Sequence, residues 1–214
     1  MVLNTLSDLA PARPREQAGG PVLWLVRHGE STWNALGLAQ GQSDRPRLTY
    51  RGALQARYVA NQLRGLPIGA VYASDLRRAA ATAAPIAAAL RLDTIRDPRL
   101  RERSLGVLEG TRSVAVSSAL SGVSGDRVMD PDARPPDGES LRDLYWRVAG
   151  FADDLLARCQ PGGPGEIAVV AHGGTLRVLT AYLRDVPVER MSWEPVANGT
   201  VVRLPLQPRQ HAYQ

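Results

Sequence analysis

PVLWLVRHGE, residues 21–30, decides the fold. Its first six residues are apolar with no polar alternation, the pattern of a strand covered on both faces. The run stops abruptly in Arg27-His28-Gly29-Glu30. It has a counterpart near the other end of the chain, where EIAVVA (166–171) stops in His172-Gly173-Gly174. A third apolar stretch, Ile68 to Ala73, stops in Ser74-Asp75. Helical patterns lie between and after them. Leu54, Val59 and Leu63 recur from Thr49 onward, with Gly65 as the stop. An alanine-rich stretch runs to about Arg91; Ser74 and Asp75 are its expected N-caps, and Pro85 should kink or interrupt it. Ser140 should cap a helix from about Leu141 to Arg158, which the Pro161–Gly165 segment breaks. TLRVLTAYL (175–183) resumes a helix, and a last strand is expected from Thr200 to Leu204. Strands alternating with helices predict a mainly parallel sheet in a three-layer αβα arrangement.

Working outward, residues 1–20 are rich in Pro, Gly and Ala and read as a flexible N-terminal tail. One domain is expected over 21–207, and 208–214 form a C-terminal tail. Residues 111–137, with SSALSGVSGD and DPDARPPDG, read as an irregular excursion that caps one face. At 214 residues the chain fits a single core, and no internal repeat is visible.

The 44% hydrophobic and 22% charged content is that of a soluble globular protein, and aromatics are 5%. All 26 basic residues are arginine, and the net charge is +5. Genome composition explains that bias without function; an anion-binding surface needs arginines at particular places. Cys159 is the single cysteine, which excludes an internal disulfide and a cysteine-based metal site. The first twenty residues hold no signal-peptide core, and no segment approaches the roughly 20 apolar residues that span a bilayer. A cytoplasmic protein without membrane contact is expected. No nucleic-acid module or basic stripe with interleaved aromatics appears, so no nucleic-acid partner is expected.

In an open α/β sheet, ligands bind beyond the carboxyl ends of the strands. Arg27-His28, Ser74 to Arg78 and His172-Gly173-Gly174 should therefore line one crevice. Two helix N-termini would aim backbone N–H groups into it. Such a crevice suits a phosphate-sized anion, which the planar guanidinium fork binds bidentately. An imidazole beside arginines can attack phosphorus, and the leaving alkoxide then needs a proton from a nearby acid. A carboxyl group close to anionic phosphate is pushed toward its protonated form. Leu100-Arg101-Glu102-Arg103 offers one. His28, His172 and His211 are the three histidines, and HExxH, paired-cysteine, calcium-loop and Walker patterns are absent, so no metal and no cofactor are expected.

These residues resemble the histidine phosphatase superfamily, also called phosphoglycerate mutase-like, over about Pro21 to Leu206. LVRHGESTWN (25–34) is similar to the family's Arg-His-Gly-Glu signature. Gln40-Gly41, Asp44 and Leu48-Thr49 resemble the segment that closes over the phosphate, with Arg47 as an extra residue. SDLRRAAATA (74–83) resembles an element that selects Arg78 over Arg77. LRERSLGVLEG (100–110) resembles the acid-bearing segment, and Gly138-Glu139-Ser140 and VVAHGG (169–174) complete the order. The resemblance implies a phosphoglycerate mutase-like fold, His28 as nucleophile and Glu102 as proton donor. It implies Arg27, Arg78 and His172 as phosphate-binding residues, and Asn34, Gln40, Gly41 and Gly173 at the substrate. Trp33, Trp146 and Trp193 read as packing or lid residues, and Glu30 as a hydrogen-bonding partner within its loop.

The expected function is a metal-independent phosphatase acting on a small phosphorylated metabolite through phosphohistidine. The alternatives are a cofactor-dependent phosphoglycerate mutase and a non-catalytic phosphate-binding module. The family's mutases carry a lysine and a paired-arginine segment after the acid motif. This chain has no lysine, and 111–137 has no adjacent arginines, although Arg112, Arg127 and Arg134 lie there. The sequence does not fix the oligomeric state, and a homodimer is compatible with it.

Overall fold

The structure, a computed structural model, describes residues 21–113, 130–159, 165–191 and 195–206. The two tails, most of the 111–137 excursion, the Pro161–Pro164 stretch, Trp193 and His211 lie outside the described residues. Five strands form one sheet: β1 (Val22–Arg27), β2 (Ile68–Ala73), β3 (Thr94–Arg96), β4 (Glu166–Ala171) and β5 (Val201–Pro205), ordered β3-β2-β4-β1-β5. All neighbours are parallel except the edge strand β5, which runs antiparallel to β1.

From β1 the chain passes a short helix α1 (Thr32–Ala35), then α2 (Tyr50–Leu63), β2, α3 (Arg77–Leu90) and β3. Helices α2 and α3 share one face of the sheet. The chain returns through α4 (Leu141–Arg158) to β4, which inserts between β2 and β1, and α5 (Gly173–Leu183) follows. These two helices share the opposite face. The strand order thus reverses beside β4, which places a crevice beyond the carboxyl ends of β1, β4 and β2.

The unbroken apolar runs follow from burial on both sides. Along β4, Ile167, Val169 and Ala171 join the core under α4 and α5, and Ala168 and Val170 join the core under α2 and α3. Both cores are mainly aliphatic and alanine, with Tyr72, Tyr145 and Phe151 as the aromatic members. Full burial of a leucine such as Leu144 or Leu155 contributes about 1.5–3 kcal/mol each.

Three helix starts show local chemistry overruled or upheld by tertiary contacts. Thr49 caps α2, its Oγ1 accepting from Gly52 N at 3.0 Å. Ser140 caps α4 in a reciprocal box with Asp143. Ser74 and Asp75 do not cap α3: the helix begins at Arg77 after Leu76, with no side-chain cap on that residue. Ser74 is instead fully buried against His172, and Asp75 accepts two hydrogen bonds from the Arg101 guanidinium. Nor does Pro85 interrupt α3, which continues to Leu90 and ends at Arg91 in the left-handed region, φ 58°. Proline removes one backbone donor, and burial of Ala83, Ile86 and Ala87 on both sides of it holds the helix together. The last helix starts at Gly173, two residues earlier than its pattern suggests. Among the described residues no helix is long and apolar enough to cross a membrane.

Candidate active site

The sheet's ladder carries one residue past each strand. His28 N donates to Ala171 O and Ser74 N to Val170 O, both at 3.0 Å. The His28 and His172 rings meet edge to face with centroids 5.1 Å apart, and both are almost fully buried. His28 Nδ1–H donates to its neighbour's carbonyl, Gly29 O, at 2.7 Å, so Nε2 keeps its lone pair. His172 Nε2 lies 2.9 Å from Ser74 Oγ, and its Nδ1 is buried without a partner among the described residues. Burial first, then the Arg78 charge, holds both imidazoles well below 6.5, with Arg27 adding to the effect. Both rings are therefore neutral near pH 7.

The two expected guanidiniums join them. Arg78, in the first turn of α3, is 1% exposed and donates to Gly41 O at 2.7 Å and Ser43 O at 2.8 Å. Its neighbour Arg77 is exposed and pairs with Asp44 at 2.9 Å, so burial separates the two arginines as the spacing implies. Arg27 donates to Val196 O from the other side. Burial lowers the pKa of both, Arg78 down to about 10, with Glu102 acting in the opposite direction. Arg27 Nε and Arg78 Nε are buried without partners among the described residues. A buried polar atom left unpaired costs about 1–3 kcal/mol, so three around one pair of rings form an arrangement chemically suited to the oxygens of an anion.

Glu102 completes the set. Its Oε2 accepts from Gly174 N and its Oε1 from Arg103 N, each at 2.9 Å. A side chain at residue 174 would not leave room for it: a Cβ there would sit 2.3 Å from Glu102 Oε1. The other expected helix N-terminus is also served by a carboxylate, Arg77 N donating to Asp44 Oδ1 at 2.7 Å. Part of each helix N-terminus thus holds protein carboxylates, which leaves the unpartnered side-chain nitrogens as the crevice's free donors.

The loop segments bring in the remaining expected residues. Asn34 Oδ1 accepts from Ser31 N at 3.1 Å, and Gln40 Oε1 accepts from Ser31 Oγ at 2.7 Å. Gly41 adopts φ 49° beside Glu109, where a Cβ would lie 2.2 Å from Glu109 Oε1. Gly173 opens α5 beside the Arg27 side chain. Glu30 accepts from Thr49 Oγ1 at 2.8 Å, as a loop partner does. Trp33 lies against Gly110, and Trp146 is 63% exposed.

Two supports carry no motif that sequence reading can see. Asn198 Nδ2 donates to His28 O at 3.0 Å and Asn34 Oδ1 at 3.2 Å, tying the loop before β5 to the His28 backbone. Arg147 on α4 donates to the carbonyls of Arg99, Arg101 and Glu102 and pairs with Glu139 at 2.7 Å. The spacing of Arg147 from Ser140 marks a helix face and nothing more. Among the described residues no group of three or more His, Cys, Asp or Glu side chains stands together to hold a metal ion.

Fold and site together define an α/β protein with a buried two-histidine, two-arginine crevice at adjacent strand ends. The chain belongs to the histidine phosphatase superfamily: residues 23–214 match the model of "Histidine phosphatase superfamily (branch 1)". It is 38% identical over 190 residues to "Probable phosphoglycerate mutase GpmB" of Enterobacter sp. (strain 638), covering 86% of this chain and 85% of that one. Among solved structures it resembles mycobacterial glucosyl-3-phosphoglycerate phosphatase, with 29% identity, TM-score 0.73, and 86% and 89% of the two chains covered. "Mycobacterial hydrolase 1" is similar at 30% identity and TM-score 0.76, over 86% of this chain and 89% of that one.

Proposed function

We propose that this chain is a phosphatase that hydrolyses small phosphate monoesters through a phosphohistidine on His28, without a metal ion. The observation that carries this reading is the set of three buried, unpartnered nitrogens, Arg27 Nε, Arg78 Nε and His172 Nδ1, around an imidazole whose Nε2 lone pair is free. In the first step Nε2 of His28 attacks phosphorus and the P–O bond to the alcohol breaks. Arg27, Arg78 and His172 take up the charge of the equatorial oxygens. Glu102 hands a proton to the leaving oxygen, releasing the alcohol. In the second step water attacks the phosphoryl group and gives its proton to the Glu102 carboxylate. Inorganic phosphate leaves, and His28 recovers its lone pair.

A mutase reading has one observation in its favour, the name of the curated relative. Returning the phosphoryl group to a second oxygen requires further cations around a bisphosphorylated intermediate. The chain has no lysine. Arg134 is paired with Asp143 at 2.6 Å, and Arg112 donates to Leu36 O. These engagements favour hydrolysis. The substrate class is a small phosphorylated metabolite. The phosphoglycerate esters named by both kinds of relative are the first to try.

The test is phosphate release from p-nitrophenyl phosphate, 3-phosphoglycerate and glucosyl-3-phosphoglycerate in EDTA, comparing wild type with His28→Ala. Turnover that survives EDTA and falls at least about 10³-fold in the variant supports the reading. Isomerisation of 3-phosphoglycerate without phosphate release would give the mutase reading the site. No phosphate transfer from any ester leaves a phosphate-binding module.

A further inference from the structure

We propose that Ser74 is a positioning residue that holds His172 in its Nδ1–H tautomer, so that this ring offers a donor to the transferred phosphoryl group. The inference rests on the phosphoryl-transfer reading above. Ser74 is fully buried at the end of β2, and its Oγ has two neighbours, Leu76 N at 3.3 Å and His172 Nε2 at 2.9 Å. A backbone N–H only donates, so the hydroxyl accepts from Leu76. Its single hydrogen then goes to Nε2, which must carry a lone pair. Burial and the Arg78 and Arg27 charges keep the ring neutral, and a neutral imidazole with a lone pair on Nε2 has its proton on Nδ1. The opposite tautomer is doubly unfavourable. It buries the Ser74 O–H without an acceptor among the described residues and turns a lone pair toward the anion.

The two rings then play complementary parts in the same protonation state. His28 Nδ1–H is spent on Gly29 O and leaves Nε2 to attack. His172 accepts on Nε2 from Ser74 and leaves Nδ1–H to donate. The arrangement also accounts for the failure of Ser74 as a helix cap, since its hydroxyl is committed to the site.

The experiment is a two-bond ¹⁵N–¹H correlation spectrum of enzyme labelled at the histidine imidazoles, at pH 7, with and without inorganic phosphate. Three histidines make the spectrum assignable, with His211→Gln and His28→Gln identifying the other two. Wild type should show His172 as the Nδ1–H tautomer. Ser74→Ala should move it toward Nε2–H and lower kcat/KM about tenfold, the scale of one lost hydrogen bond. An Nε2–H or imidazolium His172 in wild type overturns the assignment. So does a Ser74→Ala enzyme that keeps the Nδ1–H tautomer, whatever its activity. The spectrum needs no turnover: the expected tautomer in a protein that releases no phosphate supports the assignment and counts against the phosphatase reading alone.

Discussion

His28, His172 and Ser74 stand where three neighbouring parallel strands end, and the sheet's own hydrogen bonds reach His28 and Ser74. Glu102 faces the same crevice from a loop after β3, placed by Arg147, Glu139 and the approach that Gly174 permits. The proposed phosphate cradle therefore stands largely on a buried sheet, whereas the proposed acid is held by a few side-chain bonds. Under the proposed mechanism the two duties can be disabled separately: loss of the cradle should slow the first step for every substrate, and loss of the proton donor should slow it only where the leaving group needs a proton.

The largest effect should come from the cradle. Arg78→Lys keeps the charge but loses the planar fork that reaches Gly41 O and Ser43 O and, in the proposed mechanism, a phosphate oxygen. It should lower kcat/KM about 10²–10³-fold on every ester, regardless of leaving group. On the acid side, Glu102→Gln and Gly174→Ala should lower kcat/KM for alkyl phosphates about 10²-fold. The kcat/KM for p-nitrophenyl phosphate, whose leaving group needs little proton transfer, should fall less than about tenfold, because it reports phosphoryl transfer and not the later hydrolysis. An equal loss of kcat/KM on both substrates would break the division of duties.

Stability should sharpen the comparison. Arg147→Met leaves Glu139 without its guanidinium and frees three carbonyls of the acid segment, which should cost about 2–3 kcal/mol in denaturant unfolding. The smallest effect is on pH dependence. Both site histidines have folded pKa values held below 6.5, so the unfolded chain binds their protons more readily. Their contribution is complete above about pH 6.5 and is lost as the pH falls, by up to about 1.4 kcal/mol per pH unit from each. His28→Asn should remove one share of that slope; an unchanged slope would mean that the ring is not held neutral by the fold.

The same contrast explains what was legible in the sequence. The cradle could be read because a buried strand is an apolar run, and Arg27-His28 and His172 interrupt two such runs. Arg78 needed the family spacing, since on a helix it looks like any solvated charge. Glu102 is legible as an acid in the charged segment 100–103, and the resemblance adds its role as proton donor. Asn198 and Arg147 escaped notice because they act on backbone carbonyls, which leave no trace in residue order. Ser74 was visible as a polar residue after a strand, but local cap preference cannot register a histidine nearly a hundred residues away. The edge strand β5 was expected in nearly its observed place, and its antiparallel direction is set by pairing with β1, which no local pattern encodes.

The central claim is covalent transfer to His28, and a single-turnover measurement reaches it most directly. Glu102→Gln should still accept the phosphoryl group from p-nitrophenyl phosphate but hydrolyse it slowly, having lost the base for water. A burst of p-nitrophenol stoichiometric with enzyme, and an acid-labile, base-stable phosphoryl group mapped to His28 by mass spectrometry, is the predicted result. Phosphate release with no burst and no phosphoenzyme, or a phosphoryl group mapped to any other residue, would contradict the account.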